Sequence, residues 1–210
     1  MDFGFSPCFV SESSVEPEGR AIASPITLRT AEPKDIKLLV DLLTLSFHPP
    51  QGLLAPFYPL LKLGIYEDLR SRLRSQSSHY RCIVASAFVV GGQTEVLLGT
   101  AEVALRSSLI GMPRSPYISN FAVSPTYRRQ GIGRKLLQRC ELIVQNWNCS
   151  DLALHVLEDN QAAKALYFSS GYELHRIEPS WRHWIFQAPR RLYLQKKLRQ
   201  IRLANSLLPQ

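Results

Sequence analysis

The sequence predicts a mixed α/β sandwich in which about four helices cover a central sheet. Three observations carry that expectation. Two β-branched, apolar runs, Cys82 to Val90 and Glu95 to Leu105, flank Gly91-Gly92 and read as a hairpin. Ile132, Leu136, Leu137, Cys140, Ile143, Val144 and Trp147 recur at helical spacing and make one continuous stripe. Short strand-like runs then alternate with helical ones to the end of the chain.

The elements follow in order. Ile26-Thr27-Leu28-Arg29 alternates like a short strand. Pro33 opens a helix, because proline suits a first helical position, and Ile36, Leu39, Val40, Leu43 and Phe47 form its apolar face. His48-Pro49-Pro50-Gln51-Gly52 ends it. A second helix runs from about Phe57 to Gln76, with Leu61, Ile65, Leu69 and Leu73 on one side. After the hairpin comes a strand from about Tyr117 to Val123, stopped by Ser124-Pro125. The long helix spans about Arg128 to Trp147, and Leu152 to Val156 is a buried strand. Asn160 caps a short helix that ends at Gly171. Tyr172 to Ile177 and Arg191 to Lys196 complete a β-α-α-β-β-β-α-β-α-β-β order with no internal repeat.

Composition bounds the classes. The chain has 210 residues, 45% hydrophobic and 20% charged, with a formal charge of +8. That suits one folded domain and excludes wholesale disorder. No apolar run nears the ~18 residues that span a bilayer. Cysteines 8, 82, 140 and 149 have no metal-ligand spacing, so no metal is expected, and Cys82 and Cys140 read as core residues in a reducing compartment. Residues 1–24, rich in Ser, Pro, Glu and Gly, read as a flexible arm, 25–198 as the domain, and 199–210 as a basic tail. No signal peptide is visible. Asp2, Glu12, Glu16 and Glu18 precede the first basic residue, Arg20, which is unlike a transit peptide. The expected location is the cytoplasm, or the plastid stroma if the source is a photosynthetic eukaryote.

The sharpest motif follows the fourth strand: Arg128-Arg129-Gln130-Gly131-Ile132-Gly133-Arg134. Glycines let backbone N–H groups approach an anion, and a helix start adds free donors and partial positive charge. A phosphorylated ligand is expected, or else a solvated basic helix start packed tightly through its glycines. No Walker loop or full dinucleotide fingerprint is present.

Arg128-x-x-Gly131-x-Gly133 after a strand resembles the signature of the GNAT superfamily of N-acetyltransferases. Asn160, Ala163 and Tyr167, followed by Gly171-Tyr172, resemble the family's second cofactor-contacting segment, and the likeness covers about residues 26 to 198. It implies a mostly antiparallel sheet splayed between its fourth and fifth strands, and acetyl-CoA as co-substrate. The residues from Arg129 to Arg134 would cradle its diphosphate. A bulged strand holding Phe121, Ala122 and Val123 would pair with the pantetheine arm, and a backbone N–H near Val123 would face the developing oxyanion.

Resemblance also implies roles for side chains. Tyr167 would protonate the leaving thiolate, only mildly uphill for groups with pKa values near ~10 and ~8.5; otherwise it is a core tyrosine. His155 faces away from Leu154 and Val156. Many members carry Glu there, and this His resembles that of some protein N-terminal acetyltransferases, as does Tyr117. Either would act as base, the alternatives being a half-buried strand histidine and a packing tyrosine. An α-amine with pKa near ~8 needs a weaker base than a lysine near ~10.4, which favours N-termini, with lysines second. Phe47 and Pro49 would line one side of the acceptor site, Trp181 and Trp184 the other, unless the tryptophans merely cover the sheet.

The expected function is acetyl transfer to a protein N-terminal α-amine, in a ternary complex. The alternatives are a small-molecule amine acceptor, for which Glu158 and Asp159 are the nearest acids, and a non-catalytic binding module. The latter rests on Arg190, Arg191, Lys196, Lys197, Arg199 and Arg202, a basic run without an acid that would meet RNA or a ribosome. A solvated tail is the plainer account of that run. No membrane partner is expected, and the chain reads as a monomer or dimer.

Overall fold

A computed structural model describes residues 22–47, 58–75, 77–90, 95–106, 114–178 and 189–199. The elements are β1 (Thr27–Thr30), α1 (Ile36–Phe47), α2 (Tyr58–Arg74), β2 (Tyr80–Phe88), β3 (Glu95–Arg106), β4 (Ser115–Val123), α3 (Ile132–Asn146), β5 (Asp151–Leu157), α4 (Gln161–Ser169), β6 (Glu173–Glu178) and β7 (Arg191–Lys197). This is the predicted order. The sheet runs β1-β2-β3-β4-β5-β7-β6, antiparallel except where β4 meets β5.

Two apolar layers hold the sheet. On one face α3 packs Ile132, Leu136, Leu137, Cys140 and Val144 onto Ile83, Leu98, Ala101, Val103, Leu152 and Leu154. On the other, Leu39, Val40 and Leu43 of α1 and Leu69 of α2 cover Cys82, Val84 and Ala122. Each fully buried leucine contributes about 2 kcal/mol. Of the apolar face expected in α2, only Leu69 is fully buried, with Ile65 and Leu73 packed at its margin. Cys82 and Cys140 are core residues, as expected.

Three boundaries differ from the sequence reading. Pro33 opens a single 3-10 turn, Pro33–Asp35, and the α-helix starts at Ile36. The long helix begins at Ile132 rather than Arg128, because Arg129 and Gly131 both take left-handed conformations that a helix cannot include. Ordered pairing also reaches further back than residue 25: Ile22 bridges Val89, and Ala23 N–H donates to Phe88 O at 2.8 Å. Residues 1–21 and 200–210 lie outside the described residues, as do Pro49, Trp181 and Trp184.

Strand β4 carries a bulge. Thr100 partners Ala122 but Glu102 partners Ser119, so β4 holds one extra residue. Asn120 sits there with φ 48°. Its Nδ2 donates to Glu102 Oε1 at 2.9 Å, and Arg72 Nη1 of α2 donates to Glu102 Oε2 at 2.8 Å. Glu102 is 1% exposed and survives burial because both oxygens are partnered. Replacing Arg72 by Met is therefore expected to cost about 2 kcal/mol in urea unfolding, less than for a fully dry pair because Arg72 is itself partly solvated.

Candidate active site

The turn after β4 is shaped by two residues of the glycine motif. Arg129 and Gly131 are both left-handed, and such alternation in a turn lets successive amides converge on one anion. The N–H groups of residues 129–134 donate to no acceptor among the described residues, while Lys135 N–H already bonds to Gly131 O. A Cβ on Gly131 would meet nothing within 4 Å, so the concavity has room for a ligand. Gly133 is different. A Cβ there would come within 3.0 Å of Leu166, so this glycine also serves the packing of α3 on α4. The site thus fits a diphosphate: free donors, a helix start, and the side chains of Arg128, Arg129, Gln130 and Arg134 at its edge. Two side chains are partly committed. Arg128 Nε donates to Val123 O at 3.2 Å, and Arg134 Nη2 to Ser169 Oγ at 3.2 Å.

Next to that turn the sheet opens. The β4–β5 register has one partnered pair, Tyr117 with Ala153. From Ser119 to Val123, β4 has no partner on its β5 side, while its other edge stays paired with β3. The expected splay between the fourth and fifth strands is there, and the edge it leaves includes Phe121, Ala122 and Val123.

Tyr167 lies under this opening. It is 5% exposed, with the Phe121 ring edge-on at 5.7 Å and Tyr172 at 6.0 Å. Its hydroxyl has no hydrogen-bond partner among the described residues. Burial pushes its pKa well above the ordinary tyrosine value, so it is a weaker acid than its sequence suggested. Asn160 caps α4 by accepting from Ala163 N–H at 3.1 Å, which ties one lone pair of its carbonyl oxygen to the helix and orients its amide nitrogen.

The opposite face of the sheet holds the two base candidates, and the structure joins them. Tyr117 Oη and His155 Nδ1 are 2.6 Å apart. His155 Nε2 lies 2.7 Å from Glu178 Oε1, close but out of line for a full hydrogen bond. Burial lowers the His155 pKa and Arg191 and Arg176 reinforce it, outweighing the opposite pull of Glu178. Burial works against the charge of Glu178, but the imidazole and the two arginines prevail and hold it below the usual carboxylate range. Both shifts favour a neutral imidazole beside an ionised carboxylate near neutral pH. Tyr117 is raised by burial, with Arg191 and Arg106 opposing.

Glu178 was missed by sequence reasoning. It sits in the edge strand β6, and only the insertion of β7 between β5 and β6 brings it to His155. Three cations of the basic run have a carboxylate nearby. Arg190 grips Glu158 at 2.6 and 2.8 Å, Arg191 Nη1 is 3.8 Å from Glu178, and Lys196 Nζ is 2.8 Å from Glu141. Arg190 and Lys196 are thus paired at short range while Arg191 stays more than half exposed, and Glu158 is occupied rather than offered to a cationic acceptor. Phe47 ends α1, half exposed. Among the described residues no group of His, Cys, Asp and Glu is placed to hold a metal, and no helix is long and apolar enough to cross a membrane.

Comparison with known proteins agrees with this geometry. The chain is 29% identical over 163 residues to GCN5-related N-acetyltransferase 10, chloroplastic, from Arabidopsis thaliana, covering 72% of this chain and 63% of the relative. It is 38% identical over 78 residues to GCN5-related N-acetyltransferase 7, chloroplastic, of the same plant, covering 37% of this chain and 28% of the relative. The matched region is thus less than two thirds of the length of these relatives. In fold, the chain superposes on a chain of the NatC complex bound to Gag peptide and CoA with a TM-score of 0.63 at 17% identity, covering 84% of this chain and 100% of that one. Residues 52–172 match the acetyltransferase (GNAT) family, and with the splayed sheet and the glycine turn in place, the chain belongs to that family.

Proposed function

We propose that this protein transfers an acetyl group from acetyl-CoA to the α-amine of a protein N-terminus, with lysine side chains as secondary acceptors. The observation that carries the reading is the 2.6 Å contact of Tyr117 with His155 at the one place where β4 and β5 still pair, beside the opening above Tyr167. When bound, acetyl-CoA supplies an activated acetyl thioester. The amides of residues 129–134 would hold its diphosphate, and the free edge of β4 its pantetheine arm.

The chain's own groups then move two protons. Tyr117 takes one from the acceptor nitrogen as it yields its own to His155 Nδ1. The carboxylate of Glu178 faces Nε2, so that nitrogen carries the hydrogen of the neutral ring and Nδ1 is left to accept. Glu178 is thus a positioning residue, and it offsets the positive charge that His155 gains. Tyr167 gives the second proton to the departing sulfur. Burial weakens it as an acid, but the same surroundings also disfavour a thiolate, so the transfer remains matched. Replacing Tyr167 by Phe is expected to lower kcat more than tenfold while acetyl-CoA Kd changes less than about threefold; an unchanged kcat removes Tyr167 from the mechanism.

The chloroplastic relatives support the plastid stroma over the cytoplasm as the place of action. The defining experiment is acetyl-CoA consumption by the purified protein with a library of short peptides, beside polyamines and aminoglycosides. Turnover confined to the small amines would sink the protein-substrate reading.

A further inference from the structure

Partnered residues in a sheet share a face, and so do residues two apart on one strand. Ala104 partners Tyr117, and Arg106 lies two residues beyond Ala104. His155 partners Tyr193, Tyr193 partners Arg176, and Arg191 partners Glu178. Three arginines from three different strands therefore stand on the face that carries Tyr117 and His155.

Each is held in place. The Arg106 guanidinium lies 5.1 Å from the Tyr117 ring centroid and donates to Ser119 Oγ at 3.0 Å. Arg176 lies 4.5 Å over the Tyr193 ring. Arg191 reaches Glu178 at 3.8 Å. The side chains of Arg176 and Arg191 are 53% and 55% exposed, so their charge is presented to solvent. One carboxylate, Glu178, serves His155 and lies 3.5 Å from Arg176 and 3.8 Å from Arg191, so it offsets part of the charge of three arginines and leaves the rim net positive; Glu102 is buried between Arg72 and Asn120, and Arg190 grips Glu158. Glu173 stands on this face at the far end of β6, opposite Gln195. The field is already felt, since Arg191 and Arg106 pull down the Tyr117 phenol and Arg191 and Arg176 resist a charged His155.

We propose that the acceptor is an acidic N-terminal peptide, with Asp or Glu in the residues that follow the α-amine, read by the rim of Arg106, Arg176 and Arg191. This deepens the reading above and rests on it. Exposed ion pairs give small individual gains, but a rim of one sign steers and orients a ligand of the other. The same rim repels a second positive charge. A lysine-rich peptide, a polyamine or an aminoglycoside is therefore disfavoured, while an amine flanked by carboxylates is accepted.

The test uses short labelled peptides of equal length, alike except for Asp-Glu, Asn-Gln or Lys-Arg after the first residue. Their binding to the full chain saturated with CoA is followed by fluorescence anisotropy, and initial acetylation rates are measured in parallel. The Asp-Glu peptide is expected to bind about tenfold tighter than its amide counterpart at low salt, falling towards twofold at about 0.5 M salt. In R176Q/R191Q the preference should vanish while calorimetric CoA affinity, a report on folding, stays unchanged. Equal affinity for acidic and amide peptides in the wild type overturns the proposal, as does a preference that survives in the double variant. Binding is read without turnover. Absence of acetylation of every peptide would therefore sink the enzymatic reading alone, and the anisotropy would still decide the role of the arginine rim.

Discussion

Replacing Tyr117 by Phe is expected to lower kcat by about 10²-fold or more, with acetyl-CoA Kd unchanged within about twofold. The substitution removes one oxygen and keeps the ring that packs on His155 and lies beneath Arg106. Stability should barely change, so the loss reports on the proton path. The pH profile sharpens the test. Burial and two arginines depress the His155 pKa. The acid limb of kcat/KM should therefore lie below the ordinary imidazole value near ~6.5. Glu178 is the one neighbour that pulls the other way. In Glu178→Gln the limb should move to still lower pH, and kcat should fall because an amide beside Nε2 no longer fixes which ring nitrogen carries hydrogen. A limb that moves to higher pH, or stays put with full activity, would remove Glu178 from the site.

The second large effect is expected at the glycine turn. Gly131 has φ 77° and open space where a side chain would begin. Asp and Asn tolerate that backbone better than other side chains, so both variants should fold. They differ by one charge. A carboxylate about 5 Å from a diphosphate, at an effective dielectric near 20, costs about 3 kcal/mol per unit charge. Gly131→Asp should weaken acetyl-CoA binding by about 10²-fold or more, and Gly131→Asn by much less. Calorimetric titration of both variants measures the difference. Similar affinities for the two would mean that no anion sits at this turn.

Much of this architecture could be read from the residues, and the limits of that reading have physical causes. The apolar stripe of α3 repeats with the helical period, so its existence and buried face were evident. Its start was not, because a left-handed Arg129 leaves no mark in a local pattern. The outward face of His155 followed from strand alternation, and Tyr117 and Tyr167 from the motif. Their surroundings did not follow. The depth at which Tyr167 is buried depends on Phe121 and Tyr172 closing over it from other elements. Arg190 and Lys196 looked like unpaired cations because their carboxylates lie 32 and 55 residues away in the chain. Glu178 was hidden for the same reason, since its closeness to His155 is a property of strand order.

That strand order also has a kinetic consequence. β5 and β6 do not touch through their backbones. β7 lies between them, with Tyr193 opposite His155 and Arg191 opposite Glu178. Non-local pairings of this kind form slowly, because distant segments must meet before contacts reward them. During refolding from urea, hydrophobic collapse and most helical signal should return before the last strand zips in, and catalytic competence should recover only with that final zippering.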